Sequence, residues 1–308
     1  MENVTSTTVP VRKTERTSLR QSLDLLWRDK FAVAAVLFLI IVVLAALLGP
    51  YLFGQQSNRI NLLTRNAAPS FAHGWAFVLG ADALGRPILL RLFVGAQNTI
   101  ILAVSAVILS MIVGTALGFV AGYRNDWLGN VILRVADVLM SFPSLLLALI
   151  VLYVLTPGIA NVILVLAITR VPIYLRTARA EVLEVRERTF VTAADIMGAS
   201  TWRLVWRHIR PAVMPTLVTI ATLEIAFVML AESSLSFLGL GIQAPQFTWG
   251  AMVAQGQSYL GTAWWVAFWP GVAITLTAMS LNLLANWVRL VSDPVQRWRL
   301  EAKEPSHD

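Results

Sequence analysis

The chain has 308 residues, of which 57% are hydrophobic and 13% charged, with a mean hydropathy of +0.70 and a net charge of +7. A water-soluble domain of this size does not carry so much apolar surface, so the composition places the chain in a bilayer. Cysteine is absent and His73, His208 and His307 lie far apart, which excludes disulfides, a thiolate metal centre and a cysteine nucleophile, and the positive charge gathers beside apolar runs as membrane orientation requires, which argues against nucleic-acid binding.

Residues 1–30 read as a cytoplasmic tail with Arg12, Lys13, Arg16, Arg20, Arg28 and Lys30, and disorder is expected over 1–15. Phe31 to Phe53 follows as 23 residues without a charge, enough at helical rise to cross roughly 30 Å of hydrocarbon. It is too long for a signal-peptide core and no small-residue cleavage pattern follows, so 31–53 reads as a retained anchor. Residues 54–95 form an external segment, expected to pack as a small cap. The core, 96–290, holds five further spans at about 96–121, 132–156, 159–176, 212–232 and 264–288. Phe142 and Pro143 should kink the third span, and Pro157 with Gly158 separates it from the fourth. A tail, 291–308, closes the chain, with disorder expected from 300.

The basic N-terminal tail, the eight arginines from Arg170 to Arg210 and the basic C-terminal tail put both termini and the 189–211 segment on the cytoplasmic side of a multi-pass protein. Between Glu232 and Arg289 there is no charged residue, as an external loop followed by a span requires. Arg59, Arg65, Arg86 and Arg91 in the 54–95 segment run against the rule locally.

The segment 189–211 is a basic, amphipathic insertion between apolar runs. Phe190, Val191, Ala194, Ile196 and Met197 make a helical apolar stripe, with Thr189 as expected N-cap. Gly198 suits the left-handed position that ends this helix, and Ser200 caps a second one carrying Trp202, Leu204, Val205, Trp206 and Ile209, with Arg203, Arg207 and Arg210 as its positive face. On the residues alone, an ordinary interfacial helix pair filling space between spans is the favoured account over a docking surface for anionic headgroups or an acidic partner.

Ala193, Ala194, Gly198, Arg207, His208, Ile209 and Pro211 together resemble the EAA loop of ABC importer permeases, in the version of the dipeptide and oligopeptide permeases of the DppC/OppC type. Thr192 stands where that family has Glu, which gives up a capping box and a charge at the positive helix end. Other stretches match in order. They are Leu79, Gly80, Asp82, Leu84, Gly85 and Arg86; Leu235, Ser236, Gly239 and Gly241 with Trp249 and Gly250; Trp265 with Pro270 and Gly271; and Asp293 with Pro294. Pro87, and Ala285 to Trp287, depart from the pattern. The resemblance covers about 23–298 and implies an all-α, six-span fold of the type I ABC importer permease. It implies that Phe190, Val191, Thr192, Ala193, Ala194, Gly198, Ala199, Ser200, Arg207 and His208 couple to an ATPase. It also implies a bacterial inner-membrane location and, as partners, a second homologous permease subunit, two ATPase subunits and a solute-binding protein.

No cofactor site is expected in this chain. Its lysines, Lys13, Lys30 and Lys303, follow no glycine loop, so ATP and magnesium belong on the partner ATPases. Three residues are candidates for the pathway or its gating. Pro143 sits at the kink, and Glu224 and Glu232 are eight residues apart in or at the end of the fifth span, placed to face one cavity. Asp137 and Arg134, three apart, read as a structural pair on one helical face. The 236–242 turn reads equally as a span end or as a lip for a binding protein. The function implied is a non-enzymatic permease subunit for peptides or related small solutes. The rival reading is a proton-coupled secondary transporter in which Glu224 carries the proton.

Overall fold

The computed structural model describes residues 26–27, 29–124, 126–155 and 158–292. Most of both tails, Pro157, and the Asp293 and Pro294 pair lie outside the described residues. Helix α1 (Lys30–Asn58) starts where the Asp29 carboxylate accepts the amides of Phe31 and Ala32 at 3.1 and 3.2 Å, filling two of the donors that a first turn leaves open. The helices that follow are α2 (Ile88–Arg124), α3 (Trp127–Ser141), α4 (Ser144–Val154), α5 (Ile159–Arg186), α6 (Thr189–Ile196), α7 (Thr201–Phe237), α8 (Trp249–Gly256) and α9 (Trp265–Ser292). Among the described residues no strand forms, and one isolated bridge joins Ala81 to Pro87.

Helices α1, α2, α5, α7 and α9 are each long and apolar enough to cross a bilayer. The expected third span is instead a broken pair, α3 and α4, meeting at 90°. Phe142 precedes a proline and is therefore pushed into extended backbone (φ −94°, ψ 140°), which turns a kink into a corner. Several spans run past their expected ends. Helix α5 continues to Arg186, and α7 begins at Thr201, so the expected second short helix of the 189–211 segment is the first part of the fifth span. Pro211 has no N–H to give the preceding turn, and Leu204–Ile209 takes up the mismatch in π-helical register without breaking the rod.

The most extensive helix interface is α2 on α5. Gly114, Gly118 and Gly122 recur every four residues on α2, and a Cβ on them would lie 2.6–2.9 Å from Val171, Ala178 and Val182 of α5. Lipid tails are as apolar as leucine, so helices in a bilayer gain by close backbone approach, and glycine permits it. Asp137 bonds Arg176 across the α3–α5 interface, in place of the expected local partner Arg134.

The segment between α1 and α2 is shorter than 54–95 because both helices extend into it. Asp82 organises it. Its carboxylate accepts the amides of Leu84 and Arg86 at 2.9 Å and the Arg86 Nε at 2.7 Å, and lies 3.7 Å from Arg91 Nε. Two of the four arginines that break the charge rule are thus compensated locally, and the buried Arg91 also stacks 3.9 Å over Phe247.

Candidate functional site

The bundle has two contrasting ends. At one end lie the 59–87 segment and α8, laced to α2. The Trp249 indole donates to the Leu92 carbonyl at 2.8 Å, the Trp249 amide to Thr99 Oγ1 at 3.0 Å, and Asn98 Nδ2 to the Phe247 carbonyl at 2.8 Å. Glu232 belongs to this end. It is 1% exposed, and its Oε1 accepts the hydroxyls of Ser236 at 2.6 Å and Thr248 at 2.7 Å. Thr248 in turn caps α8 by accepting the Ala251 amide. The 235–241 turn closes α7 as a span end, with Gly239 at φ +82° and the Leu240 amide on the Leu235 carbonyl at 3.0 Å.

At the opposite end, α6 sits on a short elbow between α5 and α7. Its first helical residue is Thr189, and the N-cap is Arg188, which makes no side-chain cap bond but pairs with Glu184 at 2.7 Å. Thr189 therefore does not cap the helix as expected, because the chain leaves α5 only at Glu187 and enters helix again within two residues. Val191 and Ala194 are buried against the bundle, while Phe190, Thr192 and Ala193 are exposed, as are Ile196 and Met197 at 83% and 81%. Gly198 takes φ +86°, the left-handed residue expected, with its amide on the Asp195 carbonyl at 2.8 Å and the Ala199 amide on the Ala194 carbonyl at 3.1 Å. Ser200 occupies the next N-cap position without a side-chain cap bond. His208 folds back so that its ring centroid is 6.4 Å from that of Phe190, and Arg207 remains exposed. Of the expected docking residues, Val191 and Ala194 anchor the elbow, Ala199 and His208 are half-buried, and Phe190, Thr192, Ala193, Gly198, Ser200 and Arg207 are exposed.

Between the two ends lies a charged node that neither composition nor spacing singled out. Arg170 of α5 is buried, with Nη1 3.7 Å from Glu224 Oε2 of α7, its guanidinium carbon 3.7 Å over the Phe227 ring, and Nη2 donating to Ser144 Oγ at 3.3 Å. Ser144 is the first residue of α4, directly after Pro143. Of the three pathway candidates, Glu224 pairs with this arginine directly, and Pro143 adjoins the node through its neighbour Ser144. Glu232 does not join them. It lies two turns along α7, about 12 Å in helical rise, and its oxygen acceptors face α8. The signal that would have located the node is Arg170 itself, the one charged residue inside the apolar run of 159–175. Glu224 is thus paired with Arg170 across the α5–α7 interface and is not a solitary carboxylate.

Residues 114–298 match the model of the binding-protein-dependent transport system inner membrane component family, and residues 18–69 match the N-terminal transmembrane domain of oligopeptide transport permease C. The chain is 36% identical to the probable D,D-dipeptide transport system permease protein DdpC of Escherichia coli (strain K12), over 88% of this chain and 90% of that one. It is 37% identical to the di/tripeptide transport system permease protein DppC of Pseudomonas aeruginosa, over 86% and 88%. It is 36% identical to the glutathione transport system permease protein GsiD of Pectobacterium atrosepticum, over 93% and 95%. The chain is a multi-pass membrane protein belonging to the family of binding-protein-dependent transport system inner membrane components.

Proposed function

We propose that this protein is one of two nonidentical permease subunits of an ATP-driven importer for short peptides or related small solutes such as glutathione. A solute-binding protein delivers cargo at the end that carries the 59–87 segment and α8. Two ATPase subunits, which bind ATP and magnesium, dock at the end that carries α6, and both termini lie on that cytoplasmic side. The observation that carries the reading is the elbow: two apolar side chains, Ile196 and Met197, exposed at the tip of a two-turn helix whose opposite face is locked into the bundle. Apolar groups held out on a rigid basic mount gain by insertion into a partner's groove. Closure of the ATPases then moves α6, and α5 and α7 receive that motion directly because they flank it in the chain. The Arg170 node lies where α5, α7 and the α3–α4 corner meet, so it links the elbow's motion to the pathway.

The absence of cysteine makes the test clean. In a Met197→Cys variant within the assembled transporter, a short bifunctional thiol reagent should join this chain to an ATPase subunit carrying a cysteine in its groove, and nucleotide should change the yield. Labelling of that position by an impermeant reagent from outside intact cells, or no cross-link to a nucleotide-hydrolysing chain, defeats the reading.

A further inference from the structure

A cleft of about 770 Å³ opens between the second half of α2 and the first turns of α7, at the α6 end of the bundle. Its walls are apolar, with Met111 and Phe119 on α2 facing Val205 and Met214 on α7. Its mouth is different, lined by Arg124, Arg210, Trp202 and Trp206. The Arg210 guanidinium carbon lies 4.5 Å over the Trp206 ring, and the two indole centroids are 4.9 Å apart. Among the described residues no carboxylate lines the cleft, and Asp126 lies 3.7 Å from Arg124 Nε with both side chains open to solvent. The Tyr123 hydroxyl is 3.4 Å from Thr201 Oγ1, tying the two helices at this end. Trp206 and Arg210 are four residues apart on α7, a spacing that puts both on one helix face and lets the guanidinium stack on the indole.

We propose that this cleft binds one anionic phospholipid, with an acyl chain between α2 and α7, the phosphate on Arg124 and Arg210, and the indoles at headgroup level. Each feature matches one part of such a molecule. Hydrocarbon walls take a tail, tryptophans settle at the membrane interface, and arginine makes forked bonds to phosphate. The volume suits a ligand of that size, and a cleft with a cationic mouth and no acid in its walls selects negative headgroups over zwitterionic ones. The proposal rests on the chain being membrane-embedded and is independent of what docks on α6.

The test uses the full-length protein in nanodiscs of equal phosphatidylglycerol and phosphatidylethanolamine, released in the gas phase and weighed by native mass spectrometry. Wild type should retain one phosphatidylglycerol. Arg124→Gln with Arg210→Gln should cut the preference for it about thirty-fold, at the usual contribution of a basic residue near a membrane surface. Arg59→Gln with Arg65→Gln, the same charge loss on exposed residues elsewhere, should change nothing. Ala116→Trp fills the cleft without touching a charge and should also expel the lipid. Equal retention of both lipids by wild type overturns the proposal, as does undiminished preference in the Arg124→Gln, Arg210→Gln protein. In the assembled transporter, a thiol cross-link from an Ile112→Cys variant to the second permease chain would show that protein fills the cleft, and that too overturns it.

Discussion

Replacing Gly118 by alanine tests whether close backbone approach holds the bundle together. An ideal Cβ at Gly118 would lie 2.6 Å from the Ala178 Cβ and 2.6 Å from the Leu175 carbonyl oxygen, with the Arg179 amide at 3.2 Å. Non-bonded carbon atoms rest at about 3.5–4.0 Å, so α2 and α5 must part locally by roughly 1 Å. Neither obstacle is the far end of a flexible side chain, and the separation also loosens Gly114 and Gly122 one turn away on each side. Overpacking of this kind costs about 1–3 kcal/mol, against about 1 kcal/mol gained from replacing a helical glycine. Gly271 is the control, since it is helical and nothing described lies within 4 Å of its Cβ position. Gly271→Ala should therefore gain that propensity term alone. Unfolding of the full-length protein in mixed micelles by increasing dodecyl sulfate, followed through tryptophan fluorescence, should rank Gly271→Ala above wild type and Gly118→Ala below it. Equal stability of the two variants would refute the packing argument.

The Arg170 node predicts strong non-additivity. Glu224→Leu leaves a buried guanidinium without its counter-charge and should cost about 3–5 kcal/mol, whereas Arg170→Met combined with Glu224→Leu should recover most of that loss in the same unfolding assay. Gly198→Ala meets no neighbour within 4 Å but must hold φ +86°, a strain of about 1–2 kcal/mol confined to the elbow. It should leave membrane insertion intact and lower solute uptake per ATP hydrolysed in reconstituted vesicles. Thr248→Val removes one of the two hydroxyls on Glu232 and the cap on α8 together, for a loss of about 1–3 kcal/mol, read as a lower melting temperature with unchanged helix content by circular dichroism.

Long apolar runs and breaker residues are local properties, and they made the spans legible. The uninterrupted Phe31 to Phe53 run and the Gly198 helix end both survive in the structure because each depends on neighbours in sequence alone. Ends were misjudged where charge and helix coexist. Arg91 lies inside α2 because Asp82 and Phe247, one on the preceding turn and one far along the chain, shield it. The second short helix was invisible as part of the fifth span because Pro211 normally stops a helix, and only the π register lets the rod continue through it.

What chain order fixed by itself was the medium, the helices and the basic elbow, since hydropathy and charge act residue by residue through solvent. Which side chains meet was settled by tertiary packing. Asp137 had a sequence neighbour in Arg134 yet bonds Arg176, and Glu224 was paired in reading with Glu232 yet faces Arg170. A buried charge takes the partner that the fold brings within reach, and helix-to-helix distances of that kind are set by glycine contacts such as Gly118 on Ala178, which no span boundary records.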